Sequence, residues 1–324
     1  MAAWGKLQCH GTMRRRDALK WGARTTTLCG LAAASPIVLT RPAAAREALV
    51  LDDRGAVANL TYAVEPDETT RALVRRWILK SAEAVTTYYG RFPVSEVAIS
   101  VEMNAGRRRA GGKAFPDDPP QLQLSVPPGA DEKALLIDDW VLVHEMVHLA
   151  FPYLGRRHLW MAEGLAVYVE PVARIMAGHM TAERMWADFV DMMPRGLPAE
   201  GDGGYDETGG WARTYWGGAI FCLVCDIRLR QATDNEKGLR DALIAVNREM
   251  NFSRRAALGE PLAIGDAATG TTVLTDAWKE MRANPYDPDL DRLWTELGVS
   301  LTAHEARFDD TAPLAAIRQA ITRA

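Results

Sequence analysis

Cysteine, histidine and long apolar runs are all scarce in this chain of 324 residues. It contains 4 Cys and 6 His, and so few cysteines argue against a fold built on a disulfide framework. No apolar run approaches the roughly 20 residues that a membrane-spanning helix needs. Basic residues do not dominate, because the formal net charge is −4, which argues against a general nucleic-acid binder. What is present is ordinary for a globular protein, with 48% apolar and 25% charged residues and no repeat.

The first 45 residues have the pattern of an export signal rather than of a folded domain. Basic residues come first, a short apolar stretch follows at Leu28–Leu39, and Ala43–Ala45 offers an A-x-A cleavage site. Arg15-Arg16 resembles the twin-arginine export signal. We therefore predict a twin-arginine signal peptide over 1–45, passage through the twin-arginine export machinery, and a periplasmic or secreted mature protein. The alternative hypothesis is a basic amphipathic helix at a membrane surface.

Removal of this segment changes the numbers for the remaining chain. Residues 46–324 contain 31 basic and 41 acidic residues, a net charge of −10, and keep only Cys222 and Cys225. We expect an acidic mature protein that binds no nucleic acid and has no stable membrane span.

The mature chain changes character near residue 130. Between 46 and 130, alternating apolar positions predict strands around one long helical pattern at Thr69–Tyr89. From 131 to 324, helical patterns dominate, whereas Leu258–Thr272 predicts a loop. These patterns predict an α+β fold, in which a small mixed β-sheet with a helix is followed by a mainly helical part. The expected helices after residue 130 span about 135–151, 158–176, 181–192, 211–232, 237–250, 274–282 and 313–323.

A His-Glu-x-x-His motif lies inside the first of these helices. His144 and His148 are four residues apart in an apolar run without Gly or Pro, so a helix places them on one face, where both can bind one zinc ion. Glu145 then stands beside the metal and can take a proton from water. The alternative is a pair of satisfied core histidines.

A zinc site of this kind needs a third ligand. A histidine six residues after His148 is excluded, because that position is Leu154. Glu163 lies fifteen residues after His148, and a turn at Pro152–Arg157 lets a second helix bring it back to the same ion. Two His and one Glu leave a fourth position open for water, which is typical of catalytic zinc sites.

Together with Trp160–Ala166 (W-x-x-E-G-L-A), the His-Glu-x-x-His motif resembles the gluzincin metallopeptidases, which include aminopeptidase-N-type enzymes, glycyl aminopeptidases and other peptidase MA-like domains. Thr214–Ala219 resembles the Y-x-K-G-A segment of that group. The resemblance implies a thermolysin-like fold over 46–324 and a peptide or protein substrate. It further implies zinc ligands at His144, His148 and Glu163, a general base at Glu145, an oxyanion donor at Tyr215, and at Glu170 a carboxylate that orients a ligand His.

The chain departs from the gluzincin pattern in three places, one of which is the gap between His148 and Glu163, which is shorter than in aminopeptidase-N-type enzymes. Gly217 stands where the group has Lys, and Gly111–Ala114, at the position of the group's substrate strand, lacks the Glu that binds a free amino terminus. Aminopeptidase specificity is therefore not expected, although peptide hydrolysis is. A non-catalytic zinc-binding pseudo-peptidase that recognises envelope peptides is the alternative.

Cys222 and Cys225 form a C-x-x-C pair inside an apolar helical pattern. Their spacing allows a redox pair, but the apolar context favours buried thiols.

Overall fold

The computed structural model describes residues 46–207 and 209–323. The predicted signal peptide, residues 1–45, lies outside the described residues. All of the described residues fall within one unit, and the division near residue 130 stays a prediction. Among them, no helix combines the length and apolar character needed to cross a membrane.

Five strands at the amino-terminal end form one mixed sheet in the order β1-β2-β3-β5-β4. Strands β2, β3 and β5 run parallel, while β1 and β4 pair antiparallel to their neighbours at the two edges. Leu122, Leu124 and Val126 alternate along β5 and are buried, so one face of the sheet supplies part of the core. The strands are β1 (Arg46–Val50), β2 (Val57–Tyr62), β3 (Glu96–Met103), β4 (Gly111–Phe115) and β5 (Gln121–Val126).

A long helix, α1 (Glu68–Tyr89), connects the parallel strands β2 and β3. It begins at Asp67, whose side chain accepts a hydrogen bond from the Thr70 backbone N–H at 2.8 Å. It ends at Gly90, whose φ of 74° lies in the left-handed region that favours glycine. Its buried stripe includes Val74, Trp77, Ile78 and Val85, and the helix packs against the next two α-helices of the chain.

The remainder is mainly helical, and only one hairpin interrupts it within the described residues. Two five-residue π turns, Lys133–Ile137 and Arg213–Gly217, precede the second and fifth helices. The hairpin consists of β6 (Val299–Thr302) and β7 (Glu305–Phe308). The helices are α2 (Val141–His148), α3 (Leu159–Met176), α4 (Ala182–Met192), α5 (Gly218–Ala232), α6 (Leu239–Glu249), α7 (Gly259–Thr269), α8 (Val273–Met281), α9 (Leu290–Leu297) and α10 (Ala315–Ile321).

The predicted α+β class is confirmed, with a small sheet first and helices after it. The predicted loop at Leu258–Thr272 is wrong, because α7 occupies most of it. Gly259, Pro261 and Gly265 hide the helix from pattern analysis, since each lowers helix propensity. Packing outweighs that cost: a Cβ at Gly265 would lie 2.6 Å from Leu274 Cδ1, so the glycine lets α7 approach α8 closely.

Candidate metal centre and catalytic site

Helix α2 carries the two histidines of the motif. His144 and His148 stand one turn apart, with ring centroids separated by 5.0 Å, and both are buried. Asp139 holds the start of the helix, because its carboxylate accepts hydrogen bonds from Trp77 Nε1 at 2.7 Å and from the Leu142 N–H at 3.2 Å. The helix thus directs two imidazoles to one place from a fixed position.

A pinned turn returns the chain from α2 to α3. The Phe252 N–H donates to the Leu149 carbonyl at 3.2 Å, and Tyr153 forms a β-bridge with Arg255. Gly155, in the same turn, has φ 73°, which favours glycine over other residues. A segment from late in the chain therefore fixes where α3 begins.

Glu163, in the second turn of α3, meets both histidines. Its Oε2 lies 3.1 Å from His144 Nε2 and 3.6 Å from His148 Nε2, and one ligand atom from each residue lies within 4.8 Å of the other two. Two imidazole nitrogens and one carboxylate oxygen are the donor set of many catalytic zinc sites. The residues present therefore fit a zinc ion.

The electrostatics of the cluster favour an ionised carboxylate. Burial would raise the pKa of Glu163, but a hydrogen bond with His144 and the proximity of His148 outweigh it and hold that pKa well below its ordinary value. Burial would lower the pKa of His148, yet the neighbouring Glu163 raises it. An ionised carboxylate is the form that binds a cation.

Glu145 lies between the metal cluster and the edge strand β4. A Cβ at Gly112 would lie 2.5 Å from Glu145 Cγ and 3.1 Å from Val141 Cγ1, so only glycine lets the strand approach this closely. Burial raises the pKa of Glu145, whereas the charges of His148 and His144 and a hydrogen bond from the Ala114 backbone lower it. The side chain thus faces both the cluster and the backbone of an edge strand.

Tyr215 reaches the same cluster from the π turn before α5. Its ring stacks on His144, with centroids 6.2 Å apart and planes inclined by 13°. Trp211 in turn stacks on Tyr215, with centroids 5.6 Å apart and planes inclined by 23°. Three rings therefore run in series from the metal cluster to a tryptophan that is 38% exposed.

Helices α3 and α5 cross at backbone contact beside these residues. A Cβ at Gly164 would lie 2.2 Å from Gly218 Cα, and a Cβ at Gly218 would lie 2.0 Å from the Trp160 carbonyl oxygen. Glu163 precedes one of these glycines, and Tyr215 lies three residues before the other. The crossing fixes the ligand carboxylate relative to the phenol.

The glycine that replaces the expected Lys has a structural reason. A Cβ at Gly217 would lie 3.0 Å from the Gly196 carbonyl oxygen and 3.1 Å from Tyr205 Cε1. The nearest nitrogen belongs to Arg213, whose Nη1 would be 3.4 Å away. A side chain at position 217 would therefore require its neighbours to shift by a few tenths of an ångström, and a cation is present in the same turn at Arg213.

Glu170 lies on α3, near the cluster but engaged elsewhere. Its Oε1 accepts a hydrogen bond from Arg174 Nη1 at 2.7 Å, and burial raises its pKa. His144 Nδ1 is buried and has no hydrogen-bond partner among the described residues. Glu170 thus pairs with Arg174, and its role toward a ligand His stays a prediction. The structure brings together the other five predicted site residues: His144, Glu145, His148, Glu163 and Tyr215.

Two neighbours of the cluster, and one residue of the turn that carries Tyr215, were missed by sequence reasoning. Trp140 contacts His144 edge-on at 5.5 Å and stands four residues before it, a spacing that could have signalled the contact. Phe252 stacks against His148 at 6.1 Å, and nothing in the local sequence indicates it. Arg213 lies two residues before Tyr215, and its charge inside a predicted helix was the available signal.

The two cysteines of the C-x-x-C pair are shielded from solvent. Cys222 and Cys225 are free thiols on α5, and both are fully buried. Burial raises the pKa of each thiol, which disfavours the reactive thiolate.

Comparison with solved structures supports the fold assignment. An aminopeptidase N family protein from Idiomarina loihiensis superposes with a TM-score of 0.57 at 16% identity, covering 79% of this chain and 49% of that one. An M1 zinc metallopeptidase from Deinococcus radiodurans gives 0.48 at 16% identity, over 75% of this chain and 52% of that one. Native yeast LTA4 hydrolase gives 0.49 at 12% identity, over 79% and 44%.

No protein-family model and no curated protein matches the chain in sequence. The chain spans about half the length of the solved structures it matches. At such low identity the likeness concerns the fold alone, and the Idiomarina protein carries it. The chain therefore has the mixed α/β fold of an aminopeptidase N family protein, with a possible His-His-Glu metal site inside it.

Proposed function

We propose that this chain is an exported, zinc-dependent metallopeptidase that hydrolyses peptide bonds. The observation that carries the proposal is the convergence of His144, His148 and Glu163 beside the carboxylate of Glu145. The similar fold of a solved aminopeptidase N family protein supports it. Export rests on the sequence pattern of residues 1–45.

His144, His148 and Glu163 would hold the zinc ion. Bound there, zinc supplies a Lewis acid that polarises a carbonyl and lowers the pKa of water. The imidazole of His144 is kept in place between Trp140 and Tyr215, so the ligand set is rigid before any substrate arrives.

Edge strand β4 gives a place for an extended peptide. It ends the sheet, so one of its sides has no strand partner among the described residues, and a substrate backbone can add to that side as a further strand. Gly112 brings this backbone against Glu145. A bound peptide would thus pass within reach of the carboxylate.

Glu145 and Tyr215 perform the proton and charge chemistry. Glu145 takes a proton from the attacking water and delivers it to the nitrogen of the departing amine. The hydroxyl of Tyr215 donates a hydrogen bond to the oxyanion of the tetrahedral intermediate.

Replacement of the general base Glu145 tests its role in turnover separately from the binding of zinc. Glu145→Gln keeps the shape of the side chain but removes the proton acceptor, so we expect cleavage of a peptide library to fall by about 10²–10⁴-fold. Zinc stoichiometry, measured by elemental analysis, should stay at that of the unchanged protein. Glu183→Gln, at an exposed position in the first turn of α4, is the matched control and should retain full activity. Normal turnover in Glu145→Gln would contradict the mechanism.

A non-catalytic zinc-binding module that recognises envelope peptides is the second candidate. It is favoured by Gly217, which stands in a tightly packed turn where the gluzincin pattern has Lys, and by Ala114 on a strand that lacks the amine-binding Glu. A peptide library distinguishes the two candidates. If the protein binds stoichiometric zinc and binds peptides but cleaves no member of the library, this second candidate is correct.

A further inference from the structure

Four cations lie close together in sequence beside the edge strand β4. Residues 107–109 are three consecutive arginines in the connection before this strand, and Lys113 lies within it. Residues 104–116 contain no acid, although residues 46–324 carry a net charge of −10. Charges are screened over about 8 Å at physiological ionic strength, so a ligand at this edge meets these cations rather than the net charge of the chain.

The side chains of β4 alternate between the two faces of the sheet. Gly112 faces α2, because a Cβ there would lie 2.5 Å from Glu145 Cγ. Since successive residues of a strand point to opposite faces, Gly111, Lys113 and Phe115 belong to the other side, which we call the outer face of β4. The carboxylate proposed as general base and the outer face therefore lie on opposite sides of one edge strand.

Two of the cations lie at the two ends of the outer face. A Cβ at Gly111 would lie 2.5 Å from Arg107 Cζ, so this guanidinium covers the first residue of the strand. The Lys113 ammonium lies 5.1 Å from the centroid of the Phe115 ring, so it reaches toward the last residue. Lys113 is exposed, and neither cation forms an ion pair with any described residue.

The acids of this region lie outside the outer face. Glu102 on β3 points to the same side, but β5 separates it from Gly111, which places the two residues roughly 10 Å apart. Asp117 and Asp118 follow the end of the strand. The outer face of β4 therefore offers two cations whose charge no carboxylate of the described residues pairs with.

A peptide strand added to the free edge of β4 would place every second side chain beside these cations. Directly opposed residues of neighbouring strands have Cβ atoms about 4.5–5.5 Å apart, within reach of a carboxylate and a long basic side chain. The intervening side chains of the peptide would point toward α2 and the metal cluster. Only one of the two sets can therefore pair with the outer face.

We propose that the outer face of β4 selects acidic peptides, with Asp or Glu at alternate positions of the bound strand. The inference rests on the proposed peptidase function and on strand addition at β4. Opposite charges that face each other across two strands favour their pairing. An acid moved by one position along the peptide points to the other face, where it cannot pair with Arg107 or Lys113.

The test is a glutamate scan of one peptide, cleaved by the full, zinc-loaded chain. The starting peptide is the neutral library member that is cleaved fastest, because its scissile bond fixes the register of the bound strand. Glu and Gln are then placed at each position in turn, and kcat/KM is measured. We expect Glu to exceed Gln by about 2–5-fold at alternate positions, the effect of an exposed cross-strand ion pair, and not at the positions between them.

Variants assign the preference to the outer face. Lys113→Gln should remove the preference for Glu at one of the favoured positions, and Lys113→Glu should replace it there with a preference for Lys. Arg107→Gln should act at a different favoured position. Lys279→Gln, at an exposed position on α8 that pairs with Asp276, is the matched control and should keep the full preference. Raising the salt concentration should reduce the preference, because exposed ion pairs are screened.

Two results would overturn the inference and leave the peptidase function standing. One is equal kcat/KM for Glu and Gln at every position. The other is a preference for Glu at consecutive positions, which shows attraction to a basic loop without strand register.

Absence of cleavage of any peptide would instead contradict the proposed function, and binding then tests the outer face. The anisotropy of a fluorescent peptide with Glu at every second position is compared with that of its Gln counterpart on the zinc-loaded chain. Tighter binding of the Glu peptide, lost in Lys113→Glu and kept in Lys279→Gln, supports the outer face as a site for acidic peptides. Equal binding of the two peptides would overturn it.

Discussion

At the scale of single residues, the side chains in and around the metal cluster differ in how clearly the sequence predicts them. The spacing of His144, Glu145 and His148 predicts the cluster, because four residues along a helix mark one face. Glu163 follows from its motif and from the turn before it. Phe252 could not be predicted, since it reaches His148 from 104 positions along the chain. Contacts of that kind depend on the whole fold rather than on local pattern.

Asp139 gives a prediction about pH at this scale. Burial raises its pKa from 3.8 to about 6, against hydrogen bonds from Leu142 and Trp77 that lower it. The folded chain thus favours the protonated carboxyl, so this group stabilises the fold most below pH 3.8 and less as pH rises to about 6.

Asp139→Asn removes that titration. Between pH 4 and pH 7, we expect the stability of the variant relative to the unchanged protein to rise by about 2–3 kcal/mol. Urea unfolding at both pH values measures it. Asp138→Asn, at an exposed neighbour, controls for loss of a negative charge and should show no such rise. A pH-independent difference for Asp139→Asn would refute the assignment.

At the scale of elements, the sequence predicts the long amphipathic helices and misses what packing alone decides. The α1 stripe and the strands around it follow from apolar periodicity. The single helix expected over 135–151 is instead a π turn, a break at Asp138–Trp140, and α2. The hairpin β6–β7 and helix α9 were not predicted either, because their short apolar patterns carry little signal. The close crossing of α3 and α5 depends on Gly164 in one helix and Gly218 in the other. Neither glycine indicates the crossing when its own helix is considered alone.

Gly164 tests that crossing. In Gly164→Ala, the new Cβ would lie 2.2 Å from the Gly218 backbone and 2.7 Å from the Ala219 nitrogen, and backbone atoms cannot move aside cheaply. We expect a loss of roughly 2–3 kcal/mol in the free energy of unfolding, with reduced activity because Glu163 and Tyr215 shift apart. Chemical denaturation measures the loss. Gly209→Ala, whose Cβ meets nothing within 4 Å, should be nearly neutral. Equal stability of the two variants would show that the helices do not cross this closely.

At the scale of the whole molecule, the metal cluster joins parts that are distant in sequence. Helices α2 and α3 supply the ligands, strand β4 covers Glu145, and the segment after α6 pins the turn between them. Zinc bound there should therefore stabilise the folded state, because it binds that state and not the unfolded chain.

Removal of the metal should lower the melting temperature and abolish turnover. For zinc at a thousand times its dissociation constant, we expect a chelator to lower Tm by about 10 °C, with recovery on adding zinc back. Calorimetry measures the shift. Glu163→Gln loses a ligand, so its Tm should respond far less to the chelator, whereas Asp202→Asn, in the glycine-rich segment Gly201–Gly210, should respond fully. The same Tm with chelator and with zinc would contradict the proposed site.

The buried thiols of α5 have a consequence for how the motions of this protein can be followed. Cys222 and Cys225 lie one turn apart on a helix that also packs against α3, and solvent reaches neither of them. A thiol reagent can therefore react only in molecules whose helical core has opened. The two cysteines therefore report that opening without any engineered probe. Their labelling rate, measured by mass spectrometry, gives the rate at which the helical core opens.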